Sequence, residues 1–284
     1  MPEGNTIHRL ARQHTKDFGG RLVRARSPQG RFAREARRLD RRRFVRADAH
    51  GKHLFHFWEG ARIVHVHLGM AGEFYRFEGD APRPRATVRM RLTASPVTID
   101  LIGAPTCELI TEEKRLAILA RLGPDPIRED ANPDAVRAAL QRRPDRPIGD
   151  ALLDQRVVAG VGNIYRNEAL FLTGIHPLRR SGRVSPEEWS ALWETLRALM
   201  RRGVGDGTIT VDASEEPHPR ALAKRSPEDD DFYVYGQTIC RRCGSKLREL
   251  PLSGRRVFAC PVCQPRARQR RPDRAEKAAR PLHS

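Results

Sequence analysis

The chain has 284 residues, and 53 Lys+Arg against 35 Asp+Glu leave a formal net charge of +18. A mean hydropathy of −0.61, with no apolar run near the ~20 residues a membrane helix needs, excludes an integral helical membrane protein. The length predicts about two domains, and the charge predicts a polyanionic partner, either nucleic acid or an anionic membrane surface.

The chain starts Met1-Pro2-Glu3-Gly4. A Pro in second position normally permits removal of the initiator Met, so the mature chain is expected to begin with a secondary amine beside a carboxylate. An α-amino group titrates near pH ~8 and can act as a nucleophile. A secondary amine that attacks a sugar C1′ gives an iminium that cannot lose a proton to become a neutral imine. The cation persists as an electron sink, acidifies the C2′ proton and favours β-elimination of the 3′ phosphate. Glu3 suits general acid/base work beside it. No apolar h-region follows, so no secretory signal is expected, and a cytoplasmic, nucleoid-associated location fits.

Residues 5–18 read as an amphipathic helix, with Ile7, Leu10, Ala11, His14 and Phe18 at helical spacing. Strand-like signal then runs from about 21 to 111, in the segments 63–68, 87–92 and 97–101, and predicts a sandwich or barrel. Eleven Arg fall between Arg21 and Arg46, against Glu35 and Asp40. His53, His56, His65 and His67 alternate along strands, partly on opposite faces, and are expected at the surface or facing phosphate rather than around a metal. Cys107 reads as a small buried apolar residue.

Leu122-Gly123-Pro124-Asp125-Pro126 is rich in breakers and marks an expected domain boundary. Helical pattern follows over 133–140, over 148–158 and from about Asn163. The Gly-rich turn with Gly160 and Gly162 leads into that last helix, whose N-terminal N–H groups suit phosphate, with the Asn163 side chain as a further donor. Ser185-Pro186-Glu187-Glu188 carries the signature of a capped helix start, and Trp189, Leu192, Leu196 and Leu199 give its buried stripe. Residues 203–232 read as irregular, with Gly203-Val-Gly205-Asp-Gly207 as a mobile loop and an acidic run at 228–231.

Cys240-Arg-Arg-Cys243 and Cys260-Pro-Val-Cys263 form two C-x₂-C pairs, a strong signature for a tetrahedral structural Zn²⁺. Two disulfides fit poorly with a chain expected to lack an export signal. Residues 265–284 read as a disordered tail with seven Lys+Arg against Asp273 and Glu276. The two Arg-rich stretches hold most of the excess charge, and suit a sequence-independent, salt-sensitive tether to DNA.

Taken in order, Pro2-Glu3-Gly4, Gly51-Lys52, His67-Leu68-Gly69-Met70, Leu122 to Pro126, Leu153-Asp154-Gln155 to Glu168 and the four cysteines resemble the formamidopyrimidine-DNA glycosylase/endonuclease VIII family. Glu3-Gly4 and the stretch Ser27 to Phe32 look more like the actinobacterial branch of endonuclease VIII. The resemblance implies an α+β protein. Its N-terminal helix and β-sandwich would span 1–120, a helix–two-turn–helix domain 121–232 and a zinc-finger hairpin 233–264, with the tail beyond.

The resemblance also implies a bifunctional glycosylase/AP lyase acting on damaged DNA, double- or single-stranded, as a monomer with one structural Zn²⁺. Pro2 would be the Schiff-base nucleophile, Glu3 the proton donor and Lys52 a catalytic contact beside the lesion phosphate. Asn163 and Arg255 (or its neighbour Arg256) would grip the backbone, and Met70 would wedge into the stack. The formamidopyrimidine branch carries two further plugs on an Arg-Arg-Phe-Gly loop, and Asp100 to Glu108 has no match to it. That departure leans the substrate towards oxidised pyrimidines. The reading from another class is a non-catalytic, zinc-dependent protein that senses distorted DNA.

Overall fold

A computed structural model describes residues 2–209, 211, 218–222 and 232–266. The acidic run at 228–231 and all but the first two residues of the tail lie outside them. None of the described helices is long and apolar enough to cross a membrane.

Helix α1 (Gly4–Phe18) opens the chain, and its Ile7, Ala11 and Phe18 are buried. Eight antiparallel strands follow: β1 (Leu22–Arg26), β2 (Arg42–His50), β3 (His53–Trp58), β4 (Arg62–His67), β5 (Glu73–Glu78), β6 (Val88–Ala94), β7 (Val97–Ile102) and β8 (Thr106–Ile110), with α2 (Ala33–Leu39) between the first two. Their order is β5-β7-β6-β1-β2-β3-β4-β8. Only Leu22↔Arg43 and Val23↔Arg42 join β1 to β2, so two four-stranded halves fold over one another as the sandwich. Strict alternation of burial along β6 and β1 gives each an inward face. Those faces meet α1 in one apolar core that includes Phe18, Phe44, Leu54, Val66, Leu92 and Leu101. Cys107 is buried there, and burial pushes its thiol up to about 12.

The histidines depart from the expectation of surface positions. His53 pairs directly with His67 across β3 and β4, and His65 lies on the same face. His53 Nδ1 meets His65 Nε2 at 2.9 Å, and His65 Nδ1 meets Glu108 Oε1 at 3.3 Å. His56 faces the core instead, 3.0 Å from His14 of α1. Burial lowers all four strand histidines, His53 to about 3. They are held as neutral, hydrogen-bonded rings because desolvation disfavours the imidazolium.

Beyond α3 (Glu112–Leu119) the chain is helical: α4 (Pro133–Gln141), α5 (Ile148–Ala151), α6 (Asn163–Leu172) and α7 (Pro186–Asp206). The helix expected over 148–158 stops after a single turn. Asp154 accepts from the Arg156 backbone N–H and from the Arg146 and Arg156 guanidiniums, which favours a turn over continued helix. At the other end α7 runs further than its stripe suggested. Gly203 and Gly205 belong to its last turn, and Gly207 caps it with φ +78°, so this segment is the end of a helix rather than a free loop. Ser185 and Glu188 form the expected capping box. A second apolar core unites these helices with the final hairpin, β9 (Arg248–Leu252) and β10 (Arg255–Ala259), through Leu196, Phe171, Leu247 and Phe258.

Three glycines bring the two cores together. Gly4 N–H donates to the Gly160 carbonyl at 2.9 Å. A Cβ on Gly4 would lie 2.9 Å from the Gly160 Cα, and one on Gly51 would lie 2.9 Å from the Gly160 N. Gly51 and Gly160 have φ of +56° and +90°, where side chains are strained as well as crowded. Asp125 locks the same junction. Its Oδ2 accepts from the Gly51 N–H and from His8 Nε2, both at 2.7 Å, and its Oδ1 accepts from the Ile127 N–H.

Gly160→Ala should cost about 2 kcal/mol or more in denaturant unfolding, whereas Gly205→Ala, whose Cβ would meet nothing within 4 Å, should be neutral or stabilising by up to about 1 kcal/mol. Burial pulls the Asp125 carboxyl upward, but His8 and the backbone donors outweigh it and hold the group below its ordinary value. A depressed carboxyl contributes stability above its unfolded pKa that disappears as pH falls through the folded one. Asp125→Asn should therefore destabilise by about 2–4 kcal/mol at pH 7, with the gap closing towards pH 3; a gap independent of pH would contradict this.

Candidate active site and nucleic-acid interface

Gly4 starts α1, so Pro2 and Glu3 are carried to the place where α1, the β2–β3 turn and the start of α6 converge. Pro2 is half-buried at the wall of a cavity of about 560 Å³, with Asn5, Met70, Phe74, Ile164 and Ile209 among its other lining residues. Glu3 is fully buried behind it. Its Oε2 accepts from the Gly162 N–H and its Oε1 from the Ile164 N–H, each at 2.9 Å. The carboxyl thus caps a helix about 160 positions along the chain, whose own N-cap, Gly162, has no side chain to offer. A methyl on Gly162 would sit 2.3 Å from Glu3 Cδ, so this glycine makes room for the carboxyl.

Two opposed effects act on Glu3. Burial raises its pKa most, while Lys52 and the N–H groups of Ile164, Gly162 and Tyr165 pull it back, and the net shift is upward. Lys52, on the turn after Gly51, is lowered by burial and by Arg255, with Glu3 acting in the opposite sense. A weakened acid and an ammonium made more acidic therefore act on one another here, an arrangement typical of sites that move protons.

Gln155 shapes the turn before α6. Its Nε2 donates to the Leu153 and Val161 carbonyls, and its Oε1 accepts from the Gly160 N–H. Asn163 is nearly buried. Its Nδ2 donates to the Arg256 carbonyl at 3.2 Å and its Oδ1 accepts from Arg166. Arg166 and Asn167 complete the docking of β10 on α6: Arg166 also donates to the Arg256 carbonyl, and Asn167 Oδ1 accepts from the Phe258 N–H at 2.7 Å. Glu168, fully buried, accepts from three successive N–H groups of Tyr233, Val234 and Tyr235. Burial pushes its carboxyl up to about 6 against those donors. The sequence names Arg166, Asn167 and Glu168 only as parts of a motif, with no role of their own. The one available signal was a run of polar residues on a helix that otherwise reads as core.

Arg255 follows the two-residue turn Ser253-Gly254, both at positive φ, and pairs with Leu252. Its charge bears on both Lys52 and Arg166. Arg256 points to the other side of the pleat, exposed beside Glu249, so of the two arginines Arg255 is the one turned towards Lys52. Met70 is 71% exposed at the rim of the Pro2 cavity, outside either core.

The four cysteines lie as the hairpin reading anticipated. Their sulfurs are all within 4.8 Å of one another, the one such His/Cys/Asp/Glu group among the described residues, and none is in a disulfide. Cys240 and Cys263 sulfurs are 3.9 Å apart and those of Cys243 and Cys260 3.4 Å. A tetrahedral ion with metal–sulfur bonds of about 2.3 Å would set such edges at about 3.8 Å. The set can bind one metal ion. Gln264 fixes the second knuckle, accepting from the Cys260 N–H and donating to the Ile175 carbonyl.

The model of the formamidopyrimidine-DNA glycosylase N-terminal domain matches residues 1–102, and that of the formamidopyrimidine-DNA glycosylase H2TH domain matches 122–214. Endonuclease 8 1 of Mycobacterium tuberculosis is 45% identical over 270 residues, covering 93% of this chain and all of that one. Formamidopyrimidine-DNA glycosylase of Thermomicrobium roseum is 34% identical over 251 residues, covering 81% of this chain and 84% of its own. The structure of Lactococcus lactis Fpg in complex with an abasic site containing DNA aligns with a TM-score of 0.74 and 25% identity, over 93% of this chain and all of that one. By these matches the chain belongs to the formamidopyrimidine-DNA glycosylase/endonuclease VIII family of base-excision-repair DNA glycosylase/AP lyases.

Proposed function

We propose that this chain removes oxidised bases, pyrimidines foremost, through a Schiff base on Pro2 followed by β,δ-elimination. What carries the reading is the pairing of Pro2 at the cavity wall with a buried, upward-shifted Glu3 directly behind it. Once Met1 is removed, the Pro2 amine attacks C1′ of an extruded nucleotide and the bond to the damaged base breaks. Glu3 delivers a proton to the ring oxygen, which opens the sugar to the iminium. Loss of the C2′ proton then expels the 3′ phosphate, and a second elimination expels the 5′ phosphate.

Lys52 and Arg255 neutralise the phosphate charge that develops there. The N–H groups at the start of α6 are largely taken by Glu3, so Asn163 acts on the backbone chiefly by holding the Arg256 strand in place. Met70, exposed at the cavity rim, fills the stack vacated by the lesion. The cysteines Cys240, Cys243, Cys260 and Cys263 would hold Zn²⁺, whose part is to fix the hairpin that presents Arg255. Chemistry at the lesion passes through none of them. The pyrimidine preference is supported by the sequence of the β7–β8 turn, which lacks the Arg-Arg-Phe-Gly plugs.

Borohydride should trap the chain on abasic DNA as a covalent adduct at its N-terminus. A short peptide placed ahead of Pro2 should abolish the adduct while leaving binding to abasic DNA within about threefold; an undiminished adduct would refute the Pro2 assignment, and binding without any adduct from the native chain would favour a distortion sensor. Elemental analysis should find one zinc per chain. Stripping it with a chelator should lower affinity for abasic DNA by about tenfold or more through loss of the Arg255 contact, whereas unchanged affinity in the metal-free chain would remove zinc from this role.

A further inference from the structure

The cavity beside Pro2 carries polar groups that the elimination chemistry leaves unused. Asn5 and Arg9 stand one turn apart on α1, so their side chains lie on one side of the helix, and both line the cavity. Asn5 is 1% exposed. Its Nδ2 donates to the Gly203 carbonyl at 3.3 Å, which leaves Oδ1 as the second arm of the amide, buried and without a hydrogen-bond partner among the described residues. A Cβ on Gly203 would lie 2.8 Å from that Nδ2, so the glycine gives the amide its place and its direction. A buried acceptor left unpaired is costly, and here it belongs to a side chain that borders a space large enough for a base.

Arg9 is the basic residue of the lining, and it is exposed. A Cβ on Gly207 would stand 3.6 Å from its Cδ, 3.7 Å from its Nε and 3.8 Å from its Cζ, so its stem lies against the left-handed cap of α7. No ion pair holds the guanidinium among the described residues. Glu73, the acid of the lining, accepts instead from the Tyr75 hydroxyl at 2.6 Å. Phe74, Ile209 and Phe232 add apolar surface on which a base ring can stack. The cavity thus combines a stacking surface with one fixed acceptor and one forked donor.

We propose that Asn5 and Arg9 select thymine- and uracil-derived lesions over cytosine-derived ones by reading the extruded base at N3 and C4. This rests on the reading above that Pro2 acts on a base extruded into this cavity. A uracil-type ring offers its N3–H to Asn5 Oδ1 and its O4 to the Arg9 guanidinium. A cytosine-type ring turns an N3 lone pair to the same oxygen and a 4-amino group to the same guanidinium. Acceptor then meets acceptor and donor meets donor, and the buried Asn5 oxygen stays unpaired. Ring saturation or a 5-hydroxyl leaves this edge intact, so the same two contacts serve damaged rings of different shape.

The test uses the full chain and single-turnover removal of 5-hydroxyuracil and 5-hydroxycytosine from one duplex sequence, each opposite guanine. The two bases differ only at N3 and C4. The native chain should remove 5-hydroxyuracil about tenfold faster. Asn5→Ala and Arg9→Met should each bring the two rates to within about threefold, chiefly by slowing 5-hydroxyuracil. Should Asn5→Ala fail to fold through loss of the Gly203 bond, Arg9→Met still decides, because Arg9 is exposed and the substitution keeps an unbranched stem over Gly207. Three results overturn the proposal: equal native rates, a native preference for 5-hydroxycytosine, or a ratio that survives Arg9→Met. The last, with both lesions slowed alike, marks Arg9 as a phosphate contact. Borohydride trapping of the native chain on abasic DNA, run alongside, separates the two readings. No adduct removes the Pro2 chemistry, whereas an adduct together with equal removal of the two lesions overturns this proposal alone.

Discussion

The structure depends on the closeness of three backbone segments at Gly4, Gly51 and Gly160. A hydrogen bond from Gly4 to Gly160 and Cβ clearances below 3 Å mean that the N-terminus, the β2–β3 turn and the turn before α6 meet without intervening side chains. Close packing of this kind fixes relative positions tightly, because any added methyl must displace backbone. Pro2, Glu3 and Lys52 each sit within two residues of one of these contacts. Their mutual geometry follows from the junction, and Asp125 clamps it by binding Gly51 and His8 through the same oxygen.

That proximity has an electrostatic consequence. Glu3 is drawn to the start of α6, where N–H groups and the helix dipole favour its anion, yet it is buried deeply enough that desolvation prevails. Lys52, the nearest cation, is itself lowered by burial and by Arg255. An ionised Glu3 is stabilised by Lys52, and a neutral one leaves Lys52 free to meet a phosphate. In the proposed reaction, proton delivery to the sugar by Glu3 and phosphate binding by Lys52 would be parts of one adjustment.

Arg255 reaches this site through a chain of buried polar contacts. Asn163, Arg166 and Asn167 of α6 bind the backbone of β10, and Glu168 binds the segment that leads into the cysteine knuckles. The hairpin also shares the apolar core of the helices. Its arginine is thus referenced to the same helix whose start is capped by Glu3. By contrast, the arginines between Arg21 and Arg46 are almost all solvent-exposed, as suits non-specific attraction that weakens with salt.

Local signals in the sequence determined a good deal. The β6 alternation, the Ser185 capping box, the start of α6 and the paired cysteine knuckles are all set by neighbours a few residues apart, so spacing alone discloses them. The family resemblance did the same for the order of Pro2, Lys52, Asn163 and Arg255. The tertiary structure decided what depends on distant partners. It ended the helix at Ala151 where Asp154 found two arginines, extended α7 to Asp206, and buried His56 and His65 that alternation alone had left at the surface. It also made Glu3 the cap of a helix about 160 residues away, and gave Gly51 and Gly160 their purpose. A glycine or a carboxylate looks alike in sequence wherever it stands; only the atoms brought against it determine its clearance, its charge and its use.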